Sequence, residues 1–246
     1  MKNKINEALI EKLKSAKNLV FFTGAGMSAE SGIPTFRGTD GIWNKFKPEE
    51  LANFNAFLKN PKLVWEWYQY RKDIIHKSAP NNGHIAIREL EKYYSVSVIT
   101  QNVDNLHYRA GSSEIYELHG NIEKNYCISC NKRYDFIDFP ESTDSPRCEC
   151  GGLIRPDIVW FGENLPQDQY SSAEKVIEEA DIFFSIGTSG IVYPAAYLAL
   201  NANKLKKFLV EINPVDTELT HIFDLTIRNS SASALENILT TVESFK

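Results

Sequence analysis

Short apolar runs rich in β-branched and aromatic residues recur along the chain, and segments with helical spacing of apolar residues separate most of them. These runs predict strands at 19–23, 96–100, 115–118, 182–186, 208–212 and 225–227. The intervening periodicity predicts helices in the N-terminal segment and at 63–76, 84–92, 171–179, 194–204 and 234–244. Such alternation indicates an α/β fold with a parallel, doubly wound sheet.

Two stretches interrupt this alternation. Residues 35–78 are rich in Trp and Phe, and residues 120–156 contain all of the cysteines. We expect the two stretches to form a smaller inserted lobe, with residues 1–34, 79–119 and 157–246 forming the larger one. A ligand crevice is expected between this lobe and the sheet, at the carboxyl ends of the strands.

Composition narrows the class of protein. With 246 residues, 43% of them hydrophobic, the chain can bury a substantial core, as one domain with an inserted lobe or as two equal domains. The net charge of -5 argues against nucleic-acid binding as the main function. No apolar run reaches the roughly 18 residues of a membrane span. Charges alternate with Ile5, Leu9 and Leu13 near the N-terminus, so we expect a cytoplasmic protein without membrane contact.

The four cysteines form one local cluster of two pairs, Cys127 with Cys130 and Cys148 with Cys150. Such a cluster favours a metal site over a disulfide framework or free thiols. Four thiolates suit a closed tetrahedral zinc site, although a pair with one intervening residue is less common than one with two. Since the four thiolates leave no coordination position open, we expect one structural Zn²⁺.

A strand runs into glycines and then into a helical start between residues 18 and 38. Gly24, Gly26 and Ala29 match the G-x-G-x-x-G/A pattern, in which bare glycines let backbone N–H groups approach a pyrophosphate. A tight turn in another kind of α/β protein is the alternative. A hydride-transferring dehydrogenase is disfavoured, because residues 41–47, where a second strand ending in an acidic residue is expected, are not strand-like.

Polar residues follow the predicted strands at 24–26, 101–104, 119–120, 187–189 and 211–213. In a parallel sheet these positions converge on one edge. Each has a structural alternative: Asn102 and Asp104 as helix caps, Ser189 and Asn213 as turn residues. Five such clusters together favour a binding site.

The ordered series GAGMSAESGIPTFRG, TQNVDNLH, ELHG, CISC, CEC, RPDIVWFGE and GTSGIVYPA resembles the motifs of the sirtuins, over about residues 18–213. The resemblance implies a Rossmann-like sheet with a zinc-binding lobe and an NAD-dependent protein-lysine deacylase. In sirtuins the acyl oxygen attacks C1′ of the nicotinamide ribose, and the products are nicotinamide and O-acyl-ADP-ribose. The expected partners are therefore NAD and acyl-lysine proteins or peptides, whereas the oligomeric state is left open.

The resemblance assigns catalytic roles to His119 and Asn102. His119 matches the histidine that activates a ribose hydroxyl, which suits an imidazole with a near-neutral pKa. Asn102 matches the residue that orders the ribose and the catalytic water, and Asp104 the one that binds the nicotinamide carboxamide. His107 is interpreted as structural, because one positioned base is sufficient. Surface or capping roles are expected for His76, His84 and His221.

Further residues match the cofactor site. Phe36 and Arg37 match a flexible loop whose aromatic ring shields the reacting sugar, with core packing as the competing role for Phe36. The residues expected to contact NAD are Gly24, Ala25, Gly26, Ala29, Glu30, Thr35, Phe36, Arg37, Trp43, Gln101, Asn102, Val103, Asp104, Gly187, Thr188, Ser189, Asn213, Pro214, Val215 and Ser231.

Two segments resemble those between which a sirtuin holds an extended peptide through backbone pairing. They comprise Val159, Trp160, Phe161, Gly162 and Glu163, and Gly190, Ile191, Val192 and Tyr193. Trp160 and Phe161 are also compatible with core positions.

The acyl group is predicted from Tyr68 and Arg71, which lie three apart and therefore on one helix face. They match the Tyr-x-x-Arg of the sirtuin branch that removes succinyl, malonyl and glutaryl groups, where guanidinium and phenol bind a terminal carboxylate. A solvated Arg beside a core Tyr is the alternative. Thr39 replaces a small Ala often found near this position, so we expect a narrower or more polar pocket, and weaker acetyl removal as a secondary activity.

Two other classes of function use the same residues. A mono-ADP-ribosyltransferase would release nicotinamide without acyl-lysine. A non-catalytic NAD- or zinc-dependent binding module has little use for His119 beside an intact cofactor set. The deacylase is therefore the preferred interpretation.

Overall fold

The computed structural model describes residues 5–36, 47–135, 137 and 145–246. Its strands, in chain order, are β1 (Asn18–Thr23), β2 (Ser95–Thr100), β3 (Ile115–Glu117), β4 (Gly120–Cys127), β5 (Arg133–Tyr134), β6 (Ile154–Ile158), β7 (Ile182–Ile186), β8 (Phe208–Ile212) and β9 (Leu225–Ile227). The helices are α1 (Glu7–Ser15), α2 (Pro48–Leu51), α3 (Phe54–Lys59), α4 (Pro61–Lys77), α5 (Asn82–Leu90), α6 (Leu106–Ala110), α7 (Gln167–Glu179), α8 (Tyr197–Lys204) and α9 (Ser231–Glu243). Within the described ranges, no helix is both long and apolar enough to cross a membrane.

A six-stranded sheet in the order β3-β2-β1-β7-β8-β9 forms the centre of the molecule. All neighbouring strands in it run parallel. The chain leaves β1 towards β2 and β3 on one side and returns to β7, β8 and β9 on the other. Apolar residues of α1, α5 and α9 cover one face, and those of α7 and α8 cover the other. The predicted doubly wound parallel sheet is confirmed.

The register of the sheet places four strand ends at one level. Thr23 at the end of β1 pairs with Thr100 of β2 and with Ile186 of β7, and Ile186 pairs with Ile212 of β8. The chain segments that follow these strands therefore leave the sheet side by side, as the sequence predicted.

A second, antiparallel sheet of three strands, β5-β4-β6, packs with α2, α3 and α4 around a separate core. Trp65 of α4 ties the two parts of this core together, since its indole N–H donates to the Ile154 carbonyl of β6 at 2.8 Å. These elements fall within the stretches predicted to form the smaller lobe, except that β6 extends two residues beyond the second stretch, to Ile158. The exact division of the chain into two lobes stays a prediction.

The sequence predicted the six strands of the central sheet and the helices α1, α4, α5, α7, α8 and α9, but it missed the three strands of the second sheet and the helices α2, α3 and α6. Helix α4 begins at Pro61, because the Asn60 side chain caps it by accepting the Leu63 N–H at 3.2 Å. Helix α8 begins at Tyr197, later than predicted. Helices α2, α3 and α6 span at most 6 residues, too few to show a helical period. The pairing of β4 with β6 shifts register between Asn121 and Asn125, and this irregularity interrupts the alternation of buried and exposed residues by which a strand is predicted from sequence.

The loops after β1 and β7 cross in close contact. The Gly24 N–H donates to the Ile186 carbonyl at 2.9 Å, and the Gly26 N–H donates to the Gly187 carbonyl at 2.8 Å. Gly187 has a φ of +58°, and a Cβ built on it would lie 2.5 Å from the Met27 nitrogen. Only glycine therefore satisfies both the left-handed backbone and the close approach at position 187.

We expect Gly187→Ala to destabilise the fold more than Gly32→Ala. Gly32 also has a positive φ, of +82°, but nothing lies within 4 Å of its built Cβ. Gly32→Ala should therefore cost only the left-handed backbone penalty of about 1–2 kcal/mol. Gly187→Ala adds overpacking of about 1–3 kcal/mol. Urea unfolding of both variants measures the difference, and equal losses would show that the crossing is not sterically tight.

Candidate active site

A cavity of about 830 Å³ lies at the carboxyl ends of the central strands. Most of the residues predicted to bind cofactor or substrate line it. They are Gly24, Ala25, Gly26, Ala29, Glu30, Thr35, Phe36, Tyr68, Arg71, Gln101, Asn102, Val103, His119, Val159, Trp160, Phe161, Gly162, Glu163, Gly187, Thr188, Ser189, Ile191, Val192, Tyr193, Asn213, Pro214, Val215 and Ser231.

Among the described residues, Gly190 and Asp104 were predicted to contact ligands but do not line the cavity. Arg37 and Trp43, together with the Thr39 departure, lie outside the described residues. Gly190, which directly precedes the cavity residue Ile191, adopts a φ of +74°. Asp104 lies behind the wall, where its carboxylate accepts from the Ser28 hydroxyl at 2.7 Å and the Leu106 N–H at 3.0 Å. Burial raises the pKa of this carboxyl, and its predicted bond to a nicotinamide carboxamide stays a prediction.

The sequence also missed part of the wall. Residues 216–218, after the predicted turn at Asn213, and Ser230, at the start of α9, line the cavity. The signal was available, since both stretches follow strands of the parallel sheet. The other residues missed are Ala52, Trp67, Ile158, Leu165 and Pro194, which are apolar and carry no chemical signature.

His119 faces the cavity with a defined tautomer. It follows β3, and its Nδ1 lies 2.9 Å from the Gln101 carbonyl oxygen. Because a carbonyl oxygen only accepts, Nδ1 must carry the proton, and Nε2 of the neutral ring then holds a free lone pair. Burial lowers the pKa of His119, while the bond to Gln101 opposes this shift. The ring is therefore a neutral proton acceptor at neutral pH.

Asn102 lines the same cavity as His119, and its side-chain amide nitrogen already donates two hydrogen bonds within the protein. Its Nδ2 donates to the Gly24 carbonyl at 3.0 Å and to the Ser28 hydroxyl at 3.2 Å. Its backbone N–H donates to the Thr100 hydroxyl at 3.0 Å. These bonds fix the amide plane, so the side-chain carbonyl oxygen is the group that Asn102 can offer to a donor on a ligand.

The glycine N–H groups do not act as the sequence predicted. Those of Gly24 and Gly26 donate to the carbonyls of Ile186, the last residue of β7, and of Gly187, which follows it, so neither is available to a pyrophosphate. That interpretation was wrong for these two groups, and the close crossing of the loops explains the glycines instead. The loop is also tied to α9, since the Glu30 carboxylate accepts from the Ser230 hydroxyl at 2.9 Å and the Ala232 N–H at 2.7 Å.

In the predicted peptide-binding segment 159–163, the backbone N–H groups of Val159, Trp160 and Phe161 are already hydrogen-bonded within the protein. The N–H groups of Val159 and Phe161 donate to the His119 and Ala52 carbonyls. That of Trp160 donates to the Glu163 carboxylate at 2.8 Å. Backbone pairing between this segment and a peptide would therefore rely mainly on its carbonyl groups.

Two buried residues on the cavity wall, Arg71 and Tyr68, carry hydrogen-bond donors. Arg71 is 8% exposed, and its guanidinium lies 4.9 Å from the Phe36 ring centre and 5.1 Å from that of Trp67. It has neither an ion pair nor a hydrogen-bond acceptor among the described residues. Burial lowers the pKa of Arg71, with the nearby Tyr68 and Asp104 acting against that shift.

Tyr68, one helical turn before Arg71, is 1% exposed. Its hydroxyl oxygen accepts the indole N–H of Trp160 at 2.8 Å. Burial raises the pKa of Tyr68 to about 12, so the phenol keeps its proton. The structure thus places Tyr68 and Arg71 together on the cavity wall, and the alternative of a solvated Arg71 is wrong.

The four cysteines of the second sheet come together in the fold. The sulfurs of Cys127 and Cys150 are 3.5 Å apart, as are those of Cys130 and Cys148. All four sulfurs lie within 4.8 Å of one another. Sulfur atoms at these separations are not disulfide-bonded, whereas the sulfurs of a tetrahedral Zn–S₄ centre lie about 3.8 Å apart. The described cysteines could therefore bind one structural zinc ion.

Comparisons with known proteins agree with this geometry. A family model described as the Sir2 family matches residues 24–194. An NAD-dependent protein deacylase of Aquifex aeolicus is 50% identical over 224 residues, which cover 90% of this chain and 93% of the relative.

Two of the similar solved structures contain bound ligands. The crystal structure of a Sir2 homologue in complex with NAD superposes with a TM-score of 0.91 at 43% identity, covering 98% of this chain and 95% of the other. A Sir2 complex with a deacetylated p53 peptide and 3′-O-acetyl ADP ribose superposes with a TM-score of 0.87 at 37% identity, covering 95% and 97%.

The zinc site generates a test of its own. We expect the purified protein to release about one zinc ion per chain when its thiols are modified, as measured with a colorimetric zinc indicator. Cys148→Ser should lose the metal and unfold at lower urea, because four ligands close the site. Glu149→Gln, an exposed change in the same loop, serves as the control. Full zinc retention by Cys148→Ser would contradict the assignment.

Proposed function

The chain belongs to the Sir2 family, and from that premise we propose that it is an NAD-dependent protein-lysine deacylase that prefers acyl groups ending in a carboxylate, such as succinyl and malonyl. The relative of Aquifex aeolicus is named an NAD-dependent protein deacylase, and the structural relatives bind NAD and a deacetylated peptide. The position of His119, Asn102 and the loops after β1 and β7 around one cavity supports the same activity here.

The preference for acidic acyl groups rests on one observation: two buried donors on the cavity wall, those of Arg71 and Tyr68, have no acceptor among the described residues. A buried guanidinium without a partner costs several kcal/mol, which a bound anion can offset. A carboxylate at the end of an acyl chain would accept from the Arg71 fork and from the Tyr68 hydroxyl together. An acetyl group offers neither the charge nor the acceptors.

The remaining residues supply the base and the orientation. When NAD is bound, loss of nicotinamide leaves a ribose carbon open to attack by the acyl oxygen. His119 then accepts a proton from a ribose hydroxyl at Nε2, since Nδ1 is bound to Gln101. Asn102 orients hydroxyl groups through its side-chain oxygen, and the buried wall excludes water from the reacting atoms.

An ADP-ribosyltransferase is not favoured. Such an enzyme would need NAD but no acyl group, and nothing in its reaction would use the buried Tyr68 and Arg71. The test that separates the two activities is nicotinamide release with and without an acyl-lysine peptide, and a deacylase should show release only with the peptide.

The state of His119 predicts the pH dependence. Because the base acts in its neutral form, activity is present above the pKa of His119 and is lost as pH falls through it. Burial lowers that pKa below the ordinary value of 6.5, so we expect the acidic limb of kcat/KM below pH 6.5. His119→Ala should lose at least about 100-fold in kcat, whereas His76→Ala, an exposed histidine, should leave the profile unchanged. An acidic limb that survives in His119→Ala would assign the base elsewhere.

Acyl selectivity is tested at Arg71. Arg71→Met should lower kcat/KM on a succinyl-lysine peptide by about 30- to 900-fold, equivalent to about 2–4 kcal/mol of lost transition-state stabilisation. The same variant should spare the acetyl-lysine peptide of identical sequence. Lys77→Met removes an exposed cation from the end of the same helix and controls for net charge. Equal losses on both peptides would contradict the preference for acidic acyl groups.

A further inference from the structure

We propose that Trp160 is a specificity-determining positioning residue, because its indole N–H fixes the Tyr68 hydroxyl so that the phenol proton points at the terminal carboxylate of the acyl chain. This inference rests on the proposed acidic-acyl preference and deepens it. It assigns to Trp160 a role beyond lining the path of the peptide.

The direction of the hydrogen bond follows from the groups themselves. An indole N–H only donates, so at 2.8 Å the Tyr68 oxygen must be the acceptor. The phenol therefore keeps its own hydrogen for another partner. Within the described part of the chain, no acceptor receives that hydrogen, and Tyr68 lines the cavity. The free donor is thus directed at the ligand.

The indole also restricts how the hydroxyl can turn. A phenol O–H prefers the plane of its ring, which gives it two favoured orientations. A hydrogen aimed at the indole would face the Trp160 N–H, so the orientation towards Trp160 is disfavoured. One orientation remains before any substrate binds, and preorganisation of this kind reduces the cost of binding.

Trp160 itself cannot easily move. It is 2% exposed, and the Arg155 guanidinium lies 3.4 Å from the centre of one of its rings. Glu163 accepts the Trp160 backbone N–H at 2.8 Å and forms an ion pair with Arg155. The ring of Phe57 packs 5.3 Å away. A series of side-chain contacts therefore runs from Glu163 through Arg155 to Trp160, and it holds the indole N–H in place against the Tyr68 hydroxyl.

Phenylalanine at position 160 separates this role from packing, because it keeps an aromatic ring and removes the N–H. With paired succinyl-lysine and acetyl-lysine peptides, Trp160→Phe should raise KM for the succinyl peptide by about 5- to 30-fold. Any loss through the packing of Trp160 in the peptide segment is common to both peptides, so the ratio of the succinyl KM to the acetyl KM should rise by about the same factor. Trp65→Phe removes another buried indole N–H, which donates away from the cavity to Ile154, and should not alter the ratio of the two substrates.

A double-mutant cycle makes the test sharper. In a Tyr68→Phe background no hydroxyl is left to orient, so adding Trp160→Phe should change the ratio of the succinyl KM to the acetyl KM by less than about 2-fold. An undiminished loss in that background, or equal losses on both peptides, would show that Trp160 acts through packing and would overturn the inference.

The hydrogen bond can be checked without activity. The Trp160 indole N–H resonance in a ¹⁵N–¹H spectrum should shift when Tyr68→Phe removes its acceptor, while that of Trp65 stays in place. This measurement still decides the matter if Trp160→Phe fails to fold, and an unmoved Trp160 resonance overturns the inference. Wild-type enzyme that does not prefer the succinyl peptide refutes the proposed preference and this inference with it. A wild-type preference that Trp160→Phe leaves unchanged refutes this inference alone.

Discussion

The site depends on the close crossing of two loops at the carboxyl edge of a parallel sheet. Strands β2, β1, β7 and β8 end in register, and the backbone at Gly24, Gly26 and Gly187 comes together with no room for side chains. This crossing fixes the distance between the segments that carry the polar residues of the cavity. His119 is then oriented by the backbone carbonyl of Gln101, and Asn102 by the Gly24 carbonyl and the Ser28 hydroxyl.

Unpaired donors explain the proposed selectivity better than the shape of the cavity does. Two other buried charges have partners in the protein: Glu211 accepts from Thr217, Thr220 and Arg228, and Arg155 pairs with Glu163. Within the described part of the chain, Arg71 has no such partner and the Tyr68 hydroxyl proton has no acceptor. Since folded proteins rarely bury such groups without a partner, the missing acceptor is expected to arrive with the substrate.

The sequence predicted what strand order and local spacing determine. The strand ends that carry Gln101, His119 and Thr188 could be placed at one edge, because parallel strands share a direction. Tyr68 and Arg71 could be placed on one face, because a helix repeats every 3.6 residues. The Trp160 bond to Tyr68, the position of Asp104 behind the wall and the use of the glycine N–H groups could not be predicted. Each depends on side-chain and loop geometry between segments far apart in sequence, which no local pattern encodes.

The central claim is that one cavity brings NAD and an acidic acyl-lysine into contact. Mass spectrometry of the products formed from NAD and a panel of acyl-lysine peptides tests it most directly, because the spectra report the reaction and the acyl preference together. We expect nicotinamide, the deacylated peptide and O-acyl-ADP-ribose in equal amounts, formed fastest from succinyl or malonyl peptides. ADP-ribose attached to protein, or nicotinamide formed without any acyl peptide, would contradict it.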